Sequence, residues 1–319
     1  MMSEEEIELT LKDESVRPKK QAQLERMVED NVEKIVEILR EKDYDVIEPV
    51  QKRETEEITK RRKKATEGKT KVIGFGGKGG VGKTTLAALF LRLMGEMDSP
   101  AILAVDSDPN TCLPGVLGAE GYQTLGDMVE GYKGGRLPPR KFRQEFNTLL
   151  LKNEQEFYDL LPMGRNEGQG CYCSVNDLLR SAFREFVLKG NYAYDFVVMD
   201  CEAGIEHISR KTSSFIDDFV IATDSSRMSL NTIKNIRNTQ NEVKIDVNNL
   251  YIVANRVEDG EMLDRIEDLS GELGMTFLGR MPEDETLKRL NFKGKSIFEL
   301  PDDSPAYLRM REMANVILS

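Results

Sequence analysis

The stretch "KVIGFGGKGGVGKTTLAALFLRLMGEM", residues 71 to 97, constrains this chain more than any other. An apolar run breaks into glycines and passes at once into apolar residues at helical spacing, the pattern of a strand, a loop and a helix. Gly77, Gly82, Lys83 and Thr84 stand in the spacing G-x-x-x-x-G-K-[ST]. A strand before and a helix after are the context that makes this spacing a phosphate-binding loop. Glycines let backbone N–H groups close around phosphates with no Cβ in the way, and a helix N-terminus adds positive potential. Gly77, Gly79, Gly80, Val81, Gly82, Lys83, Thr84 and Thr85 are therefore expected to bind the phosphates of a nucleotide. Lys83 would reach the β and γ phosphates and the Thr84 hydroxyl would hold Mg²⁺.

The same alternation continues downstream. "AILAVDSD", "YDFVVMDCE", "DFVIATDSS" and "NLYIVANRV" are apolar runs whose polar residues gather at the C-terminal end, and helical stretches such as 228–242 and 261–273 lie between or after them. This predicts an α/β fold with a doubly wound, mostly parallel sheet, helices on both faces, and ligands beyond the carboxyl ends of the strands. Asp106 and Asp108 fall at one such end, and Asp200 ends another where a Walker B acid belongs. Asn255 stands at the end of a later strand, with Arg256 beside it and Pro282 in "LGRMPEDE", as candidates to bind the base. A GTP-binding protein would show N-K-x-D, whereas this run is Asn255, Arg256, Val257, Glu258, so ATP is the expected nucleotide.

Residues 1–70 form a charged extension, dense in Glu, Lys and Arg, and 71–319 the nucleotide domain. Leu24, Val28, Val32, Ile35 and Leu39 make one stripe on an amphipathic helix over 21–42, expected to dock on a partner or on its own domain. The run Arg61 to Lys64 reads as solvated linker. A net charge of -11 and a pI near 5.0 lack the basic footprint of a nucleic-acid binder, so no nucleic acid is expected. The acidic N-terminus has no apolar core and no apolar run reaches the roughly 18 residues of a membrane span, so a cytoplasmic protein without membrane contact is expected.

Residues 71–319 resemble the family of MinD, ParA and the nitrogenase iron protein, and within it the CooC-type ATPases that help insert nickel into carbon monoxide dehydrogenase, together with the related maturation factor of acetyl-CoA synthase. The match rests on "GKGGVGKTT", "VDSDPNTCL", "GCYC" and "DCEAGIEH". The resemblance implies an ATP-hydrolysing homodimer of the deviant Walker A class. In that class the second lysine, here Lys78, contacts nucleotide across the dimer interface as an arginine finger would. It also implies that Asp108 orients the attacking water, that Asp200 bonds a water on Mg²⁺ and senses the γ-phosphate, and that Asp106 is a further candidate to bind such a water. The implied client is a nickel enzyme of the carbon monoxide dehydrogenase or acetyl-CoA synthase type.

Cys171 and Cys173 in "GQGCYCSVNDLLR" can share one metal only if their loop is extended, since residues two apart diverge by about 200° on a helix. Ser174 and Asp177 have the form of a capping box, which predicts a helix starting just after Cys173. Both thiols then sit at a helix N-terminus, where the dipole favours the thiolate. Two such pairs across a twofold axis would make a tetrahedral S₄ site for Zn²⁺ or Ni²⁺; the alternative is a strained local disulfide. Cys112 and Cys201 are expected to be small buried apolar groups, and His207, the one histidine, to be structural or an auxiliary ligand. Three other functions fit parts of the pattern: a reductase with a bridging iron–sulfur cluster, a ParA-like partition ATPase, and a MinD-like positioning ATPase with "PAYLRMREMANVILS" as its membrane-binding tail.

Overall fold

The computed structural model describes residues 70–98, 100–108, 110–127, 151–152, 157–164, 194–201, 216–243 and 247–319. They all belong to one compact unit, Thr59–Ser319. The helix expected over 21–42, the linker run, Cys171, Cys173 and His207 lie outside the described residues.

The strands are β1 (Lys71–Gly77), β2 (Ile102–Asp106), β3 (Leu151–Lys152), β4 (Tyr158–Pro162), β5 (Phe196–Asp200), β6 (Asp218–Thr223), β7 (Asn249–Asn255) and β8 (Thr276–Met281). They form one sheet in the order β3-β4-β2-β5-β1-β6-β7-β8, in which only the two-residue edge strand β3 runs antiparallel. The helices are α1 (Lys83–Met94), α2 (Leu113–Leu117), α3 (Arg227–Val243), α4 (Gly260–Glu272), α5 (Glu285–Phe292) and α6 (Pro305–Leu318). The expected doubly wound α/β architecture is the one observed.

Every residue of β2 and β6 is buried, as apolar strands covered on both faces require. The sheet therefore separates two cores. Side chains alternate between them along each strand: Val72 joins Ile233 and Ile236 of α3 and Ile266 of α4, whereas Ile73 and Phe75 join α1, α5 and α6. Phe219 of β6 explains two of the glycines of "IGFGG", Gly74 and Gly76. A Cβ at Gly76 would come within 2.2 Å of its ring, so glycine leaves the space that the ring fills.

Strands β4 and β8 and helices α5 and α6 complete this frame. The face of α6 formed by Ala306, Tyr307, Met310, Met313, Ala314 and Ile317 is buried in the core beside α1, so the apolar stripe of "PAYLRMREMANVILS" already has its partner. No helix among the described residues is long and apolar enough to cross a membrane. From the same helix, Arg309 donates to the carbonyls of Arg280 (3.0 Å) and Leu278 (2.8 Å), covering the outward acceptors of edge strand β8.

Asp284 joins two helix starts. One carboxylate oxygen accepts from the N–H groups of Thr286 and Leu287 and caps α5; the other accepts from the Ser304 hydroxyl (2.5 Å) and the Ala306 N–H at the start of α6. Burial alone would raise its pKa, but these four donors outweigh burial and hold it below the ordinary aspartate value of 3.8. With the folded pKa below the unfolded one, the stabilisation is full at neutral pH and is lost only as acid protonates the folded carboxylate. Asp284→Ala is expected to cost about 3 kcal/mol, because it removes a cap and leaves buried donors unpaired. Urea denaturation at pH 7 reads this directly, and a midpoint matching the parent would refute it.

Candidate nucleotide site

The strand order places β5 between β1 and β2, so the carboxyl ends of three strands meet where the chain reverses direction across the sheet. Register does the rest: Asp106 is paired with Asp200 across β2 and β5, and Phe75 of β1 with the same Asp200. Two carboxylates thus stand abreast with no exposed surface. Burial, then the charge of Asp200, pushes Asp106 up to about 8; burial pushes Asp200 to about 6 against the opposing effects of the Thr84 hydroxyl and Lys83.

The loop between β1 and α1 lies directly above. Lys83 is buried at the first position of α1, and the Thr84 hydroxyl donates to Asp200 Oδ2 at 2.6 Å. The first turn of α1 leaves the N–H groups of Lys83, Thr84 and Thr85 without intrahelical acceptors, a ready anion site. Asp200 Oδ1 is buried with no hydrogen-bond partner among the described residues. An orphaned carboxylate oxygen beside a threonine hydroxyl and a second buried acid is an all-oxygen donor set suited to a hard cation such as Mg²⁺.

The loop after β2 hangs from Asp106, whose two oxygens accept from the N–H groups of Asp108 (3.0 Å) and Leu113 (2.8 Å). Ser107 ties the same loop to β5, donating through both N–H and hydroxyl to the Asp200 carbonyl. Asp108 itself accepts from the backbone and side chain of Asn110. Cys201 is fully buried and burial, then Asp200, pushes its thiol up to about 12, so it stays protonated and is a poor metal ligand. Cys112 departs from expectation. It is exposed, because it occupies the N-cap position of the five-residue α2 at the mouth of the site, where Asp106 and Asp108 add to burial in raising its pKa.

Across the loop, Asn255 and Arg256 at the end of β7 reach the phosphate loop, donating to the carbonyls of Val81 and Gly80. A cavity of about 80 Å³ opens beside them, bounded by Thr85 of α1, Asn255, Arg256, Met281, Glu283 and Lys288. Met281 and Glu283 bound it while Pro282 between them does not. Lys288 and Asn291 of α5 were not legible as lining residues; the only signal was the capping aspartate that starts their helix. Lys78 points the other way, its ammonium 3.2 Å from the Ser226 hydroxyl and 3.7 Å from the Asp224 carboxylate. Burial of Asp224 is outweighed by hydrogen bonds from Ser226 and Ser229 and by this lysine, leaving its pKa lowered.

A glycine-rich loop, a buried lysine on the following helix and strand-end acids at the switch point of a parallel sheet define a P-loop nucleoside triphosphatase. Residues 72–297 match the model of the CobQ/CobB/MinD/ParA nucleotide-binding domain, and the chain belongs to that family as an ATP-binding, ATP-hydrolysing member. It is 35% identical to an uncharacterized ATP-binding protein of Methanocaldococcus jannaschii over 78% of this chain and 98% of the relative. It is 27% identical to the carbon monoxide dehydrogenase accessory protein CooC of Rhodospirillum rubrum, over 77% and 94%. Among solved structures, a ParA family ATPase from Chlorobium tepidum TLS superposes with a TM-score of 0.60 at 22% identity, covering 77% of this chain and 98% of that one, which speaks to the fold alone.

Proposed function

We propose that this ATPase is a metal-handling maturation factor. It holds nickel, or zinc in its place, between two copies of the chain through Cys171 and Cys173, and couples ATP turnover to delivery of nickel to an enzyme of the carbon monoxide dehydrogenase or acetyl-CoA synthase type. The observation that carries the reading is the Cys-x-Cys pair in a chain that also aligns with CooC along nearly its whole nucleotide domain. A partition or positioning role leaves that pair without a task.

In this reading the phosphate loop binds the triphosphate and Lys83 neutralises charge on its β and γ phosphates. Thr84 and, through a bound water, Asp200 would hold Mg²⁺, with Asp106 behind them, and the ion would supply charge neutralisation for the triphosphate. Asp108 leaves Asn110 to orient the attacking water. The cavity beside Asn255 takes the adenine. Lys78, held in cis by Asp224 and Ser226, is released to reach across the interface when two nucleotide-loaded copies meet. Because Asp106 suspends the loop that carries Asp108, movement of the γ-phosphate reaches the surrounding loops through two hydrogen bonds.

Anaerobic titration with Ni²⁺ and Zn²⁺, combined with size-exclusion chromatography, tests the central claim. The parent chain is expected to bind roughly one ion per two chains, the stoichiometry of a shared tetrahedral S₄ site. The Cys171→Ser, Cys173→Ser double variant should lose it while still hydrolysing ATP. Undiminished nickel or zinc binding by that variant sinks the proposal, and a brown, EPR-active reduced dimer would favour an iron–sulfur reductase instead.

A further inference from the structure

Two consecutive residues at the end of β7 hold two consecutive carbonyls of the phosphate loop. Asn255 Nδ2 donates to the Val81 carbonyl at 2.6 Å, and Arg256 Nη2 donates to the Gly80 carbonyl at 3.0 Å. In a trans peptide the carbonyl and the following N–H point in opposite directions. Drawing the Val81 carbonyl towards β7 therefore turns the Gly82 N–H away from β7. Drawing the Gly80 carbonyl the same way turns the Val81 N–H back into the loop, where it meets the Lys78 carbonyl at 3.4 Å. The loop's internal turn and the aim of its amides both agree with the direction of these two outside contacts.

The arrangement is built with some strain and a close fit. Arg256 has φ +58°, the left-handed region that a side chain with a Cβ enters at a cost, and its own N–H is anchored to the Met281 carbonyl at 3.0 Å. A Cβ on Gly82 would stand 2.4 Å from Asn255 Nδ2, so the amide occupies the room that glycine leaves. Asn255 is buried, and its carbonyl partner requires that the NH₂ face the loop.

We propose that Asn255 and Arg256 are positioning residues: they pin the Val81 and Gly80 carbonyls outward and so preset the loop's amides for phosphate before nucleotide arrives. The proposal rests on the nucleotide reading of the site and adds a role that is independent of the base. A loop already in its binding shape loses less conformational freedom on binding, so the two residues act on affinity for the phosphates rather than on the bond that breaks.

Arg256→Gly tests the effect, because glycine adopts φ +58° without strain while the side chain that carries the guanidinium is removed. Affinities for ATP and for inorganic tripolyphosphate, each with Mg²⁺, are measured by calorimetry on the full chain, alongside melting temperature and steady-state kinetics. The variant is expected to melt no lower than the parent and to bind both ligands roughly 3- to 10-fold more weakly, the range of one hydrogen bond. KM should rise by that factor with kcat nearly constant, and Arg256→Lys should recover part of the loss. Unchanged affinity for both ligands overturns the proposal. So does a loss confined to ATP, which would make Arg256 a base contact only. Failure of the parent to bind either ligand would overturn the nucleotide reading itself.

Discussion

Lys83→Ala is expected to lower ATP hydrolysis by at least roughly two to three orders of magnitude, the usual consequence of deleting a preorganised charge from a site where negative charge builds up. Lys83 is buried at the head of α1, where its cation already lowers the pKa of Asp200. A positive group there needs no rearrangement to meet incoming phosphate. Its removal leaves the two abreast acids, Asp106 and Asp200, beneath the triphosphate with one fewer compensating charge. The loss therefore falls on binding and on turnover together. Phosphate release at saturating ATP and Mg²⁺ is the measurement, with circular dichroism to show an intact fold; a variant that keeps a tenth of the parent rate would remove Lys83 from the catalytic assignment.

The second large effect concerns the fold. Gly77→Ala is expected to destabilise the domain by about 3 kcal/mol or more, combining backbone strain with overpacking against atoms that cannot yield. Gly77 has φ +133°, and a Cβ there would lie 2.2 Å from the carbonyl oxygen of Ala222. That carbonyl belongs to the strand with which Gly77 is itself in register, Gly77 opposite Ala222, so neither side can retreat without opening the central ladder between β1 and β6. Gly79 is the control two residues on: its φ is unexceptional and nothing lies within 4 Å of an added Cβ. Gly79→Ala should move the denaturation midpoint by less than about 1 kcal/mol. Equal stabilities for the two variants would contradict the close approach of β1 and β6 at this point.

The chain announces the centre of its sheet and conceals the margins. β1, β2, β5, β6 and β7 are buried on both faces and so appear as unbroken apolar runs. β8 mixes exposed, half-buried and buried residues, with Thr276 and Arg280 exposed, so it lacks that signature. β4 is five residues long and includes Asp159, whose carboxylate accepts the Tyr194 hydroxyl at 2.6 Å; a strand with a satisfied acid inside it does not look like core. At the site, the identity of the strand-end acids was legible because polar residues collect there. Their adjacency was not. Nothing local in "AVDSD" or "VVMDC" encodes that β5 inserts between β1 and β2, yet that insertion brings Asp106 beside Asp200, whose charge adds to burial in raising the Asp106 pKa. The exposure of Cys112 and the reach of Arg256 to Gly80 likewise depend on where α2 and β7 come to rest.

Arg309 bears on how the chain is made. β8 leaves the ribosome 29 residues ahead of the guanidinium that covers its Leu278 and Arg280 carbonyls. Until α6 folds back, the newborn sheet carries a row of unsatisfied acceptors on a strand that any neighbouring nascent chain could extend. Helix α6 is thus also a stopper fitted after the strand it covers, and polysomes crowded with half-finished copies are where its lateness would be felt.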